Sequence, residues 1–101
     1  MALPVAAVLV AGPSMLPTLG AGDCLLVWRG GRVRPGQLVV ARFPDGPDLL
    51  VVKRAVRPSA GRWWVESDNP DLGDDSRRYG PADVFGRVLL RYWPLPPRWF
   101  G

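Results

Sequence analysis

The chain has 101 residues with one lysine, twelve arginines and no histidine. The missing imidazole excludes Ser/His/Asp and Cys/His catalysis and removes the usual proton acceptor near neutral pH. Arginine stays protonated in proteins, so acyl-transfer chemistry in this chain has one amine available as a base, Lys53. Lys53 closes the apolar run Leu49-Leu50-Val51-Val52, which has the length and character of a buried strand. Burial disfavours an ammonium and can bring a lysine from about 10.4 down to roughly 7 or 8, where the neutral amine accepts a proton from serine. The same residues are also compatible with a lysine on the outer face of an edge strand, its stem packed and its ammonium in water.

The nucleophile candidate lies in Gly12-Pro13-Ser14-Met15-Leu16-Pro17-Thr18-Leu19, followed by Gly22-Asp23. Two prolines stiffen a turn directly after an apolar run. They hold Ser14 in a fixed direction and leave its N–H free to face a ligand. Without further context the segment also reads as an ordinary proline turn whose serine bonds local backbone.

The elements that would carry these groups are short. Turn signals recur every eight to twelve residues, at Gly12-Pro13, 20–22, Gly30-Gly31, Pro35-Gly36, 44–47, 58–61, 69–73 and Gly80-Pro81. Between them lie strand-length apolar runs at 5–10, 24–28, 37–43, 49–56, 63–66 and 86–92. This pattern predicts an all-β fold, a small rolled antiparallel sheet or partial barrel, with residues 1–101 as one domain. Residues 81–84 are expected to form a helical turn or loop, and the proline-rich 94–97 cannot lie inside a sheet. Trp28, Trp63, Trp64, Trp93 and Trp99 are expected to pack in the core and along sheet edges.

The formal charge is +4, yet the arginines are dispersed among nine carboxylates. That is the pattern of a solvated basic surface, and no nucleic-acid partner is expected. Cys24 is alone and reads as a small core residue, so neither a disulfide nor a multi-cysteine zinc site is available. No metal and no cofactor are expected. The opening MALPVAAVLVAG is too short for a membrane-spanning helix and lacks a preceding positive charge. It reads as a first strand, with no transmembrane span and with contact to a membrane surface left open.

Three segments in order resemble the signal peptidase I-like serine proteases: residues 12–19 with Gly22-Asp23, Val52-Lys53-Arg54, and Ser67-Asp68-Asn69 through Asp75-Ser76-Arg77, continuing into Tyr79-Gly80-Pro81 and Gly86-Arg87-Val88. The resemblance implies that Ser14 attacks the scissile carbonyl, that neutral Lys53 takes its proton, and that the Ser14 amide donates to the oxyanion. Gly12, Ser67, Asp75, Ser76 and Arg77 would support the site, Asp75 and Arg77 as a charge pair that Arg54 could join. Val10, Ala11, Leu50 and Val51 would flank an extended protein or peptide substrate. Two positions depart from the family pattern: Ser67 stands where glycine is common, and Gly73 or its neighbour Asp74 stands where a serine often supports the lysine amine.

The short length and the ending Gly86-Arg87-Val88-Leu89-Leu90-Arg91-Tyr92-Trp93-Pro94 look most like the nickel-type superoxide dismutase maturation proteases. This implies removal of an N-terminal propeptide from a dismutase precursor, in the cytoplasm or, alternatively, in association with a membrane. The competing readings are signal peptidase cleavage of secretory preproteins and a non-catalytic β module that binds peptides. A self-cleaving repressor-type domain ranks last, because the chain has no room for its DNA-binding module.

Overall fold

A computed structural model describes residues 4–46 and 48–100, so Met1 to Leu3 of the opening segment, Pro47 of the fifth turn signal and Gly101 lie outside the described residues. The fold is nearly all β: seven antiparallel strands form one sheet, β1 (Val5–Leu9), β2 (Cys24–Arg29), β3 (Leu38–Arg42), β4 (Val51–Ser59), β5 (Arg62–Glu66), β6 (Asp83–Trp93) and β7 (Arg98–Trp99). Strand order is β1-β2-β6-β3-β4-β5, with β7 joined to β6.

Strand β3 shows why the apolar runs become strands. Its Leu38, Val39, Val40 and Ala41 are all buried, because both faces of the sheet are covered. Val40 belongs to one core with Met15, Leu19, Leu25, Val27, Val52 and Val88, whereas Val39 and Ala41 belong to a second with Phe43, Ala55, Val65 and Ala82. Alternation along one strand thus feeds two cores. β4 and β5 are joined by a two-residue turn in which Ala60 and Gly61 both take positive φ, 51° and 76°, the handedness that tight hairpins favour.

The sheet is rolled at this end. Trp63 at the start of β5 bridges Ala82, just ahead of β6, through paired hydrogen bonds of 3.0 and 2.8 Å. β3, β4 and β5 curl around the second core, but among the described residues a single bridge is all that returns to the β6 side, and the sheet is not closed into a barrel.

Some local expectations change. Residues 81–84 are not helical: Asp83 and Val84 pair with β3, and they do so because Ala82 is already held by Trp63. Helical structure instead occurs in a 3-10 turn at Pro70–Leu72 and in α1 (Ser76–Tyr79), where the Asp75 side chain caps the helix by accepting from the Arg77 amide. β4 starts at Val51, so Leu49 and Leu50 precede the strand and are exposed.

The tryptophans do not build the core, which consists of Val, Leu, Ala, Met and Phe. Trp28, Trp93 and Trp99 are exposed and Trp63 only flanks the second core. A sheet this small leaves little depth for indoles at strand ends. Cys24 is half-buried and outside both cores. Among the described residues no helix is long and apolar enough to cross a membrane.

Candidate active site

Ser14 is carried by the loop between β1 and β2. The loop base is pinned where the Val10 amide donates to the Asp23 carbonyl (2.9 Å) and the Gly22 amide donates to the Val10 carbonyl (2.9 Å). Gly12, at φ 106°, turns the chain out of β1 in a conformation that side chains resist. Met15 and Leu19 then anchor the loop in the first core, so Ser14 rides on a buried neighbour. The Ser14 carbonyl accepts from the Asn69 amide at 2.8 Å, while its own N–H has no partner among the described residues.

Lys53 is the third residue of β4, opposite Val39. It is 4% exposed, and its Nζ lies 2.8 Å from Ser14 Oγ. The Lys53 amine titrates below its ordinary 10.5 because burial penalises the ammonium, an effect that the carboxylates of Asp75 and then Asp74 oppose. An amine with a lowered pKa in hydrogen-bond contact with a hydroxyl can receive its proton.

The segment from Ser67 to Arg77 closes over this pair. Asp75 is 3% exposed; its carboxylate accepts from the Ser67 amide (2.8 Å) and the Arg77 amide (3.0 Å) and pairs with the Arg77 guanidinium (2.5 Å). Burial by itself would push this carboxyl up, but the Arg77 guanidinium and the two amides hold it at about 2. Arg54 does not join that pair. It grips Asp68 with two bonds, of 3.2 and 2.6 Å, and Thr18 from the Ser14 loop donates to the same carboxylate at 2.5 Å. Burial raises the Asp68 carboxyl, yet the bonds from Arg54 and Thr18 outweigh it and hold its pKa below the usual range. Arg54, Asp68 and Thr18 therefore tie β4, the closing segment and the Ser14 loop together, a link that sequence reading missed. Its three members lie up to 50 residues apart, and only their places within the three matched segments hinted at it.

The other expected residues fall in different places. The Ser76 hydroxyl is used by the Val65 amide (2.9 Å), so it does not reach Lys53. The Ser67 hydroxyl is buried, with no partner among the described residues. Gly73 comes so near Ser14 that a Cβ there would collide with the Ser14 Cβ and stand 3.1 Å from its Cα. Glycine permits this approach through its missing side chain, since its backbone is ordinarily extended. Val10 is buried with both main-chain groups engaged, Ala11 is exposed, and Leu50 and Val51 lie at the open start of β4. β5 pairs with β4 only from Arg54 onward, which leaves the other edge of Val51 to Lys53 without a strand partner among the described residues. No group of three or more potential metal-ligating side chains occurs among the described residues.

The Peptidase S24-like family matches residues 2–89. The chain is similar to mitochondrial inner membrane protease subunit 1 of Xenopus tropicalis, at 36% identity over 115 residues spanning 87% of this chain and 69% of that protein. It is 34% identical to mitochondrial ATP-independent inner membrane protease subunit 1a of Arabidopsis thaliana over 91% of this chain and 71% of that protein. It is also 30% identical to the human mitochondrial inner membrane protease subunit 1 over 87% and 69%. With the match running from the first strand into β6 and taking in Ser14, Lys53 and the closing segment, the chain belongs to the Peptidase S24-like family.

Proposed function

We propose that the protein is a serine endopeptidase in which Ser14 is the nucleophile and Lys53 the general base. The observation that carries this reading is the 2.8 Å contact between a buried amine and the Ser14 hydroxyl. Ser14 Oγ attacks the scissile carbonyl carbon as its proton passes to neutral Lys53 Nζ. The tetrahedral oxyanion is received by the Ser14 N–H. When the C–N bond breaks, the Lys53 ammonium returns the proton to the leaving amine. A water molecule then attacks the acyl-enzyme with Lys53 again taking the proton; the acyl C–Oγ bond breaks, Lys53 passes that proton to Ser14 Oγ, and the acid product leaves.

The β4 edge from Val51 to Lys53 that has no strand partner among the described residues, with Leu50 ahead of it and Ala11 beyond Gly12, supports an extended substrate bound by main-chain pairing. In an antiparallel ladder alternate residues face outward, so Ala11 and Leu9 take the place expected of Val10. Ser67 is the hydroxyl we assign to support Lys53 once substrate binds, since it makes no bond to the amine in this structure. Continuing the Arg54–Glu66 register by one step places it across from the lysine, and its hydroxyl has no competing partner among the described residues.

Removal of an N-terminal leader from a precursor protein at a membrane surface is the substrate reading favoured by the relatives, whose names place them at an inner membrane. Leu9 and Trp93 support it. They flank Cys24 in one row of the sheet and are 65% and 56% exposed, an apolar pair suited to a lipid interface. The dismutase precursor rests on the likeness of residues 86–94 and is the second reading.

The test incubates the protein with a secretory preprotein and with a nickel superoxide dismutase precursor, alongside Ser14→Ala and Lys53→Met, and identifies products by intact mass. Cleavage of the preprotein by wild type alone is expected. Cleavage of the dismutase precursor alone moves the substrate to the second reading. If neither is cut, a peptide-binding module takes its place; if the variants still cut, Ser14/Lys53 catalysis fails.

A further inference from the structure

Val39 of β3 has two cations as cross-strand neighbours. Lys53 stands opposite it on β4 and Arg87 on β6, and Arg87 in turn stands opposite Trp28 on β2. Directly opposed residues of an antiparallel ladder point to the same face, so Trp28, Arg87 and Lys53 share a face of the sheet. The backbones of Lys53 and Arg87 are two strand spacings apart, roughly 10 Å.

Trp28, Gly31, Arg32, Arg34, Gln37 and Arg87 line a cavity of about 370 Å³. The chain leaving β2 builds it. Gly30 and Gly31 both take positive φ, 73° and 87°, and a Cβ on Gly31 would press at 3.3 Å on the Trp28 ring. The loop is thereby folded back. Val33 packs against the second core, and the Arg34 amide donates to Gln37 Oε1 at 2.9 Å as the chain returns to β3.

Among the described residues no carboxylate lines this cavity, and the guanidinium groups of Arg32, Arg34 and Arg87 have neither an ion pair nor a hydrogen bond. Like charges gathered without a counter-charge repel one another, and an entering anion relieves that repulsion. Guanidinium forks match carboxylates in paired hydrogen bonds, and the Trp28 indole, 38% exposed, adds a flat apolar wall.

We propose that this cavity is a second binding site, which takes the carboxylate side chains of an extended acidic peptide segment. The choice of a peptide over a phosphate group rests on the peptidase reading above. Roughly 10 Å is about three residues of extended chain, so acidic residues roughly three to six positions from a bond held at Ser14 would reach it.

The test titrates a dye-labelled hexaglutamate peptide with the Ser14→Ala protein and reads fluorescence anisotropy, with hexaglutamine as control. The expected result is saturable, salt-sensitive binding of hexaglutamate alone, weakened at least tenfold by Arg32→Ala/Arg34→Ala and separately by Arg87→Gln. Arg32 and Arg34 are exposed loop residues, so the double variant keeps the sheet even if Arg87→Gln does not fold. Absent binding, or equal binding to the folded double variant, overturns the proposal. So does saturation by inorganic phosphate or by phosphatidylglycerol vesicles in place of the peptide. Binding is read without turnover: lost binding with Ser14-dependent cleavage intact removes this site only, and lost cleavage with binding intact removes only the peptidase reading.

Discussion

The surroundings of Lys53 and the arginine cavity are two cationic regions on one face of one sheet, and they treat charge in opposite ways. At Lys53 a single amine is 4% exposed, and burial drives its pKa down. Around Arg87 three guanidinium groups gather at an open cavity, and an arginine keeps its proton in either setting. The difference teaches that position in the sheet does not decide what a cation does here. Residue type decides whether a proton can leave, and burial decides whether leaving it is favourable.

Lys53→Arg is the most direct way to break the comparison, because it puts the cavity's chemistry at the position proposed for the base. Cleavage is expected to fall at least about 10³-fold while Lys53→Met falls equally, since charge without a removable proton cannot serve. A Lys53→Arg protein within tenfold of wild type would mean that the lysine is not the base.

Gly73→Ser sharpens the role of close packing around the amine. It adds a hydroxyl next to Ser14, but its Cβ collides with Ser14, so kcat is expected to drop on the order of 10²-fold with KM little changed. Stability should fall by about 1–3 kcal/mol, as overpacking does. A faster enzyme would show that the closing segment yields and the added hydroxyl is what matters.

The pH profile should rise with one ionisation whose apparent pKa lies below the ordinary 10.5 of a lysine amine. Asp75 opposes that lowering, so Asp75→Asn should move the rising limb to lower pH, readable from kcat/KM over the range the variant stays folded. An unmoved limb would separate the carboxylate from the lysine.

Asp75→Asn also carries the smallest expected effect, on stability. The folded carboxyl sits at about 2 against an ordinary 3.8, so its contribution of about 2 kcal/mol is present above pH 4 and is lost as pH falls through 2. Urea unfolding should therefore show wild type ahead of the variant at pH 7, with the gap narrowing below pH 4. A constant gap would assign the loss to packing and not to charge.

Most strands were legible in the sequence because alternating and continuous apolar runs between glycine and proline turns leave few other ways to bury valine and leucine. The extent of β6 and the capped turn at Ser76 were less so. Ala82 is held by Trp63 across the roll, and nothing local to residues 81–84 reports that bridge. The site was legible in part for a chemical reason: without histidine, one lysine and one rigid serine turn were the pair available for acyl transfer.

By itself, then, the sequence determined the all-β class and the short set of groups able to do chemistry, since both follow from residue type and spacing. Only the tertiary structure decided that Lys53 is buried against Ser14, that Arg54 grips Asp68, and that Gly73 is pressed onto Ser14. It alone gathered Arg32, Arg34 and Arg87 at one cavity. These are contacts between segments tens of residues apart, set by strand register and the curl of the sheet, and local sequence carries no record of either.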